Sequence, residues 1–229
     1  MQFQDLSWMD VNSYLQSDDR IILVTGATEQ HAYLSLLTDT LIPLRIAQAV
    51  AEHERVLVAP PLNFGVSTPS AAFPGTISLG RPVFDAVLTE IVQGLLHQGF
   101  GGFLILNGHN GNSLPAAVED MRIEGHARVI WFDWWAGAAA RAFQDEQGLR
   151  LDHANWSENF PFNRVGDVPA GKKPLVNLGY LDDGQLMPEV LGDGSYGGLY
   201  QIEDELMWEL FDRVAAEAAE HIRALRQPS

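Results

Sequence analysis

"VTGATEQHAYLSLLTDT", residues 24–40, leaves an apolar strand, passes Glu29 and His31, and reaches Asp39 where a helix begins. The residues before it, 21–24 ("IILV"), form a short apolar run of the kind a sheet buries on both faces. Three further runs have the same character: 56–60 ("VLVAP"), 103–106 ("FLIL") and 129–132 ("VIWF"). Between them the period changes to that of helices. Residues 40–53 carry one apolar face, and 82–97 repeat it at Phe84, Val87, Leu88, Ile91 and Leu95 behind Pro82 in the first turn. A third helix is expected near 114–124, and a fourth from Glu203 onward, with Leu206, Leu210, Val214, Ala218, Ile222 and Leu225 at helical spacing. The alternation βαβαβαβ predicts a layered α/β fold around a largely parallel sheet. Residues 148–200 break the pattern with Gly, Pro, Asp and Asn, and read as a long functional excursion.

Composition bounds what such a fold can do. With 229 residues and 46% hydrophobic content, the chain reads as one domain spanning 1–229. Thirty acidic against fourteen basic residues give a formal charge of −16, which argues against nucleic acid or an anionic membrane as partner. The start, MQFQDLSWMD, lacks the basic and apolar regions of a signal peptide, so the expected location is cytoplasmic. There is no cysteine, which excludes thiolate metal sites and cysteine nucleophiles. Any metal must be held by His and carboxylate.

Ligands of open parallel sheets gather beyond the carboxyl ends of the strands, where residues 25–31 leave the first strand. Glu29 and His31 are two apart, so in an extended segment both face one side. Asp39 alone would be read as a helix cap. The third strand, however, ends at the same edge in "NGHNGN" and delivers His109, which in isolation would be incidental to a tight turn with Asn110 and Gly111 at positive φ. Together Glu29, His31, Asp39 and His109 make an N/O donor set suited to Zn²⁺, Mn²⁺ or Fe²⁺.

In order, "GATEQHAYLSLLTDT", "GVSTPSAAFPGTISL", "LILNGHNGN" and "HANWSEN" resemble the successive motifs of the creatininase (creatinine amidohydrolase) family over about residues 21–160. The resemblance implies a three-layer α/β/α fold, metal-dependent amidohydrolase activity on a small molecule, one or two divalent ions per chain, and a homo-oligomer, a hexamer in family members of this type. It places Glu29, His31, Asp39 and His109 on metal-ligand positions, with Asp39 bridging when two ions bind. His153 falls on the expected acid/base and Glu158 on the Glu of the same motif, to orient that imidazole or to ligate metal. Ser67 falls near the substrate, and Asn110 and Tyr33 are taken as further substrate contacts.

The sequence also departs from the family. Ala32 and Tyr33 stand where the family has Gly-Pro-His, Gly111 replaces a Glu that helps bind the second metal, Ser70 lies at about the place of a His, and Asn155 follows His153-Ala154. These changes predict a substrate other than creatinine: another small cyclic amide, a lactam or a formamide, cleaved at C–N by metal-activated water. Trp131, Trp134, Trp135 and Trp156 invite ring stacking but fit core positions better. His53, His97, His126 and His221 read as surface or capping residues. "GVSTP" lacks the second Gly of a serine-hydrolase elbow, and "TGAT" lacks a phosphate-loop lysine. The rival that survives is a non-catalytic family member that binds metal or ligand.

Overall fold

In the computed structural model, residues 1–176 and 188–227 are described. Four parallel strands form the main sheet: β1 (Arg20–Thr25), β2 (Leu57–Val58), β3 (Gly102–Asn107) and β4 (Arg128–Asp133), in the order β2-β1-β3-β4. β1 and β3 pair over their full length, Arg20 opposite Gly102 through Thr25 opposite Asn107. Their residues are all buried, as the uninterrupted apolar runs require.

Alternate residues supply two cores. Ile22, Val24, Leu104, Leu106 and Phe132 pack against α2 (Thr38–Glu54), α5 (Ala138–Gln147) and the C-terminal α7 (Asp204–Ala224). Ile21, Leu23, Phe103, Ile105 and Val129 pack against α1 (Trp8–Tyr14), α3 (Arg81–Gln98) and α4 (Ala116–Ile123). This is the three-layer α/β/α arrangement. α7 is tied to the sheet by buried Arg20, which binds the Asp18 carboxylate and donates to the Ile222 carbonyl.

Four predicted strands and four predicted helices are present with ends shifted by a few residues, and α1 and α5 are additional. The predicted excursion holds a two-stranded antiparallel pair, β5 (Lys172–Lys173) with β6 (Gly198–Leu199), and one-turn α6 (Pro188–Leu191). Its residues 177–187 lie outside the described residues. Among the described residues no helix is long and apolar enough to cross a membrane.

From β1 the chain moves to one side to form β2 and returns to the other for β3, so the strand order reverses between β1 and β3. That point is where such sheets open a crevice. The first turn of α2 drops into it: Pro43 cannot offer an N–H to the Asp39 carbonyl, and Gly108 comes so close that a Cβ there would lie 1.9 Å from that oxygen. Asp39 is therefore inside the helix, not its cap.

Candidate metal centre

Five side chains converge at the crevice. His109, from the loop after β3, places Nδ1 2.9 Å from Asp39 Oδ2 and 3.1 Å from Glu29 Oε2. His31, from the loop after β1, places Nε2 3.0 Å from Asp39 Oδ1. Glu158, in the excursion, brings Oε2 to 3.7 Å from His31 Nε2. Two donor sets thus meet at Asp39: Glu29, Asp39 and His109, and His31, Asp39 and Glu158. Each uses a different oxygen of the shared carboxylate. A third group, Glu29, His31 and His153, lies beside them.

Hydrogen bonds fix which nitrogens are available. His31 Nδ1 lies 3.1 Å from the Glu29 carbonyl and His109 Nε2 lies 3.0 Å from the Val66 carbonyl, oxygens that can only accept. Both rings must therefore be protonated there, and in their neutral forms they turn a lone pair toward carboxylate oxygens. His31 Nε2 and Asp39 Oδ2 are buried and have no hydrogen-bond partner. Lone pairs facing carboxylates repel unless a cation lies between them, either a proton or a metal ion. Burial lowers the pKa of His31, yet Asp39 and then Glu158 outweigh it and raise it to about 10. The same balance, with Asp39 foremost, raises His109 well above its ordinary value. Burial opposes ionisation of Asp39, but His31 and His109 hold its carboxyl well below the usual range. Glu158 is pushed up to about 7 by burial, partly offset by His31. The arrangement demands positive charge, and the residues present fit a divalent ion.

The loop that presents His109 is braced from below. Asn107 Oδ1 accepts from Thr25, from the His109 N–H and from Asn112, while its Nδ2 donates to the His109 carbonyl and Asp133. Neither Asn110 nor Gly111 adopts positive φ. Gly111 is required for space instead: a Cβ there would sit 2.0 Å from the Val66 carbonyl. No side chain can enter the site from position 111 in this conformation.

A cavity of about 340 Å³ opens over the cluster. Glu29, Asp39, Ser67, His109, Asn110, His153 and Glu158 line it, and Ser67 Oγ is 3.2 Å from His109 Nε2. Tyr33 does not; it packs edge-on against Tyr200 at 5.7 Å. Trp134 and Trp135 form part of the wall with Leu151, Asp152 and Tyr196, which sequence reading did not single out as site residues. Trp156 is core, its ring tilted against that of Phe143. His153 stands between His31 and Tyr196, with ring centroids 4.4 and 4.7 Å away. Burial, and then the neighbouring His31, lower its pKa to about 4.

Residues 4–159 match the family described as "Creatininase: Creatinine amidohydrolase". The chain belongs to the creatininase family. It is 26% identical over 146 residues to creatinine amidohydrolase of Pseudomonas putida, covering 57% of this chain and 56% of that protein. It is 36% identical over 143 residues to a mycofactocin precursor peptide peptidase of Mycobacterium ulcerans (strain Agy99), covering 57% of each. The chain thus spans about half the length of these curated relatives in the match. Among solved structures, a tryptophan-to-phenylalanine mutant of creatininase superposes with a TM-score of 0.83 at 21% identity over 99% of both chains. A structure titled "Creatininase Mn" superposes at 0.75 with 22% identity, also over 99% of both. At these identities the structural likeness establishes the α/β fold.

Proposed function

We propose that the protein is a metal-dependent amidohydrolase that cleaves the C–N bond of a small amide, lactam or formamide. The observation that carries this reading is the pair of donor sets sharing Asp39, with buried atoms that only a cation can satisfy. Glu29, Asp39 and His109 would hold one ion. His31, Asp39 and Glu158 would hold a second, so Glu158 supplies the carboxylate that Gly111 cannot. The nitrogen and oxygen donors suit zinc, manganese or iron. A bound ion would polarise the amide carbonyl and give water the acidity to act as nucleophile near neutral pH.

The remaining roles belong to the chain. The Trp134, Trp135 and Leu151 wall limits substrate size and shields the reacting carbonyl from bulk water. Ser67 and Asn110 supply hydrogen-bonding groups to the cavity, and His153 lines the space where the amide would lie.

A peptide substrate is the second reading, favoured by the 36% identity to a protein named a peptidase. Both readings are tested by one screen. Chelated protein, reloaded with zinc or manganese, is offered creatinine, lactams, formamides and short peptides. Metal-restored hydrolysis of one class identifies the substrate. Full metal loading with no turnover of any class would favour a non-catalytic, ligand-binding protein.

A further inference from the structure

The side chain between the two predicted ligands Glu29 and His31 has a task of its own. Gln30 is buried, and its amide lies between two backbone groups: Nε2 donates to the Gly194 carbonyl at 3.1 Å, and Oε1 accepts from the Ala32 N–H at 3.2 Å. A carbonyl cannot donate and an amide N–H cannot accept, so turning the amide over would set donor against donor and acceptor against acceptor. The orientation is therefore locked. Its second Nε2 hydrogen then points to His153 Nε2, 2.8 Å away. That nitrogen must accept, and the ring proton must sit on Nδ1.

We infer that Gln30 is a positioning residue that holds His153 in its Nδ1-protonated tautomer, leaving Nδ1–H as the ring's free hydrogen-bond donor. The excursion is built to maintain this. Gly194, at φ +96°, approaches so closely that a Cβ would fall 1.8 Å from Gln30 Oε1. Its neighbour Asp193 is held by Lys173 and by the Tyr200 hydroxyl, and the Tyr196 N–H donates to the His153 carbonyl at 3.1 Å. Among the described residues, Nδ1 has no hydrogen-bond partner.

The chemical consequence rests on the amidohydrolase reading; the tautomer does not. A base at Nε2 would have to displace Gln30 before taking a proton. His153 instead donates a hydrogen bond from Nδ1, to the carbonyl oxygen as it gains charge or to the leaving nitrogen, in the manner of a neutral imidazole electrophile. Water's oxygen bonds to the carbonyl carbon and the C–N bond breaks. One proton of that water reaches the leaving nitrogen without passing through His153 Nε2.

Nitrogen NMR of histidine-labelled protein, zinc-loaded and metal-free, tests this without any substrate. His153 is assigned by the signals lost in His153→Gln. The expected result is one fixed tautomer, protonated Nδ1 and lone-pair Nε2, that switches to protonated Nε2 in Gln30→Glu and becomes a mixture in Gly194→Ala. Protonated Nε2 in the wild type, or a tautomer mixture there, would overturn the inference. If Gln30→Glu does not fold, the wild-type spectrum and Gly194→Ala still decide. A locked tautomer in a protein that hydrolyses nothing would sink the amidohydrolase reading and leave the positioning role standing.

Discussion

His31 and His109 each give one ring nitrogen to a backbone carbonyl and turn the other toward carboxylates, so their occupancy by proton or metal is a matter of pH. An unfolded histidine titrates near ~6.5, whereas His31 in the fold is raised to about 10. Its protonation therefore stabilises metal-free protein fully below about pH 6.5, and that contribution is lost as pH climbs toward 10. Melting curves of chelated protein should fall across this window, while zinc-loaded protein should vary less because the ion replaces the proton. Parallel curves would mean that the cluster holds no metal. Stoichiometry separates the ligands: Asp39→Ala should lose both ions, and Glu158→Gln only one, read by elemental mass spectrometry. Retention of both ions in Asp39→Ala would contradict the shared-carboxylate arrangement. The sequence made Glu29, His31, Asp39 and His109 visible because they cluster at two strand ends. It left Glu158 between orienting and ligating, because its distance from His31 depends on how the excursion folds back. Gln30 carried no signal at all, since an amide beside two charged groups looks the same whether or not it meets a histidine.

At the scale of elements, the site depends on α2 and the loop after β3 fitting together. Gly108→Ala would place a Cβ 1.9 Å from the Asp39 carbonyl and 2.7 Å from Pro43 Cγ. Pushing the helix start away should cost about 1–3 kcal/mol, as overpacking does, and weaken metal binding along with it. Denaturant unfolding and metal titration of this variant check both; unchanged values would show that α2 is not held at this contact. β1 and β3 were legible because both faces of each are buried, which leaves an unbroken apolar run. α1 was readable in principle: Ser7 and Asp10 form a capping box, the pattern Ser-x-x-Asp before a helix. α5 is likewise bounded by Gly137 and by Gly148 at φ 62°. Neither stands out by periodicity, because α1 is short and α5 is rich in alanine and polar residues, so neither shows a long apolar stripe.

Over the whole molecule, the two donor sets join segments from β1, α2, β3 and the excursion, so an ion bound only by the folded chain should stabilise all of it. Chelation should lower the melting temperature, and reloading should restore it. The creatininase fold fixes this scaffold but not its substrate: Gly111 excludes a side chain, Ser70 is buried, and Asn155 is engaged with Arg150 and Gly197 carbonyls. A site shaped for other hydrogen-bonding groups can discriminate by ~10⁴, so creatinine should be turned over poorly. A kcat/KM for creatinine near ~10⁴ M⁻¹s⁻¹ would show that these positions do not set specificity. The expected homo-oligomer is checked by light scattering against the 25.3 kDa chain mass. The central claim, that the cluster around Asp39 is a two-ion centre, is met most directly by calorimetric titration of chelated protein with zinc. Two equivalents bound, and none in Asp39→Ala, is the predicted result; no heat of binding in the wild type would contradict it.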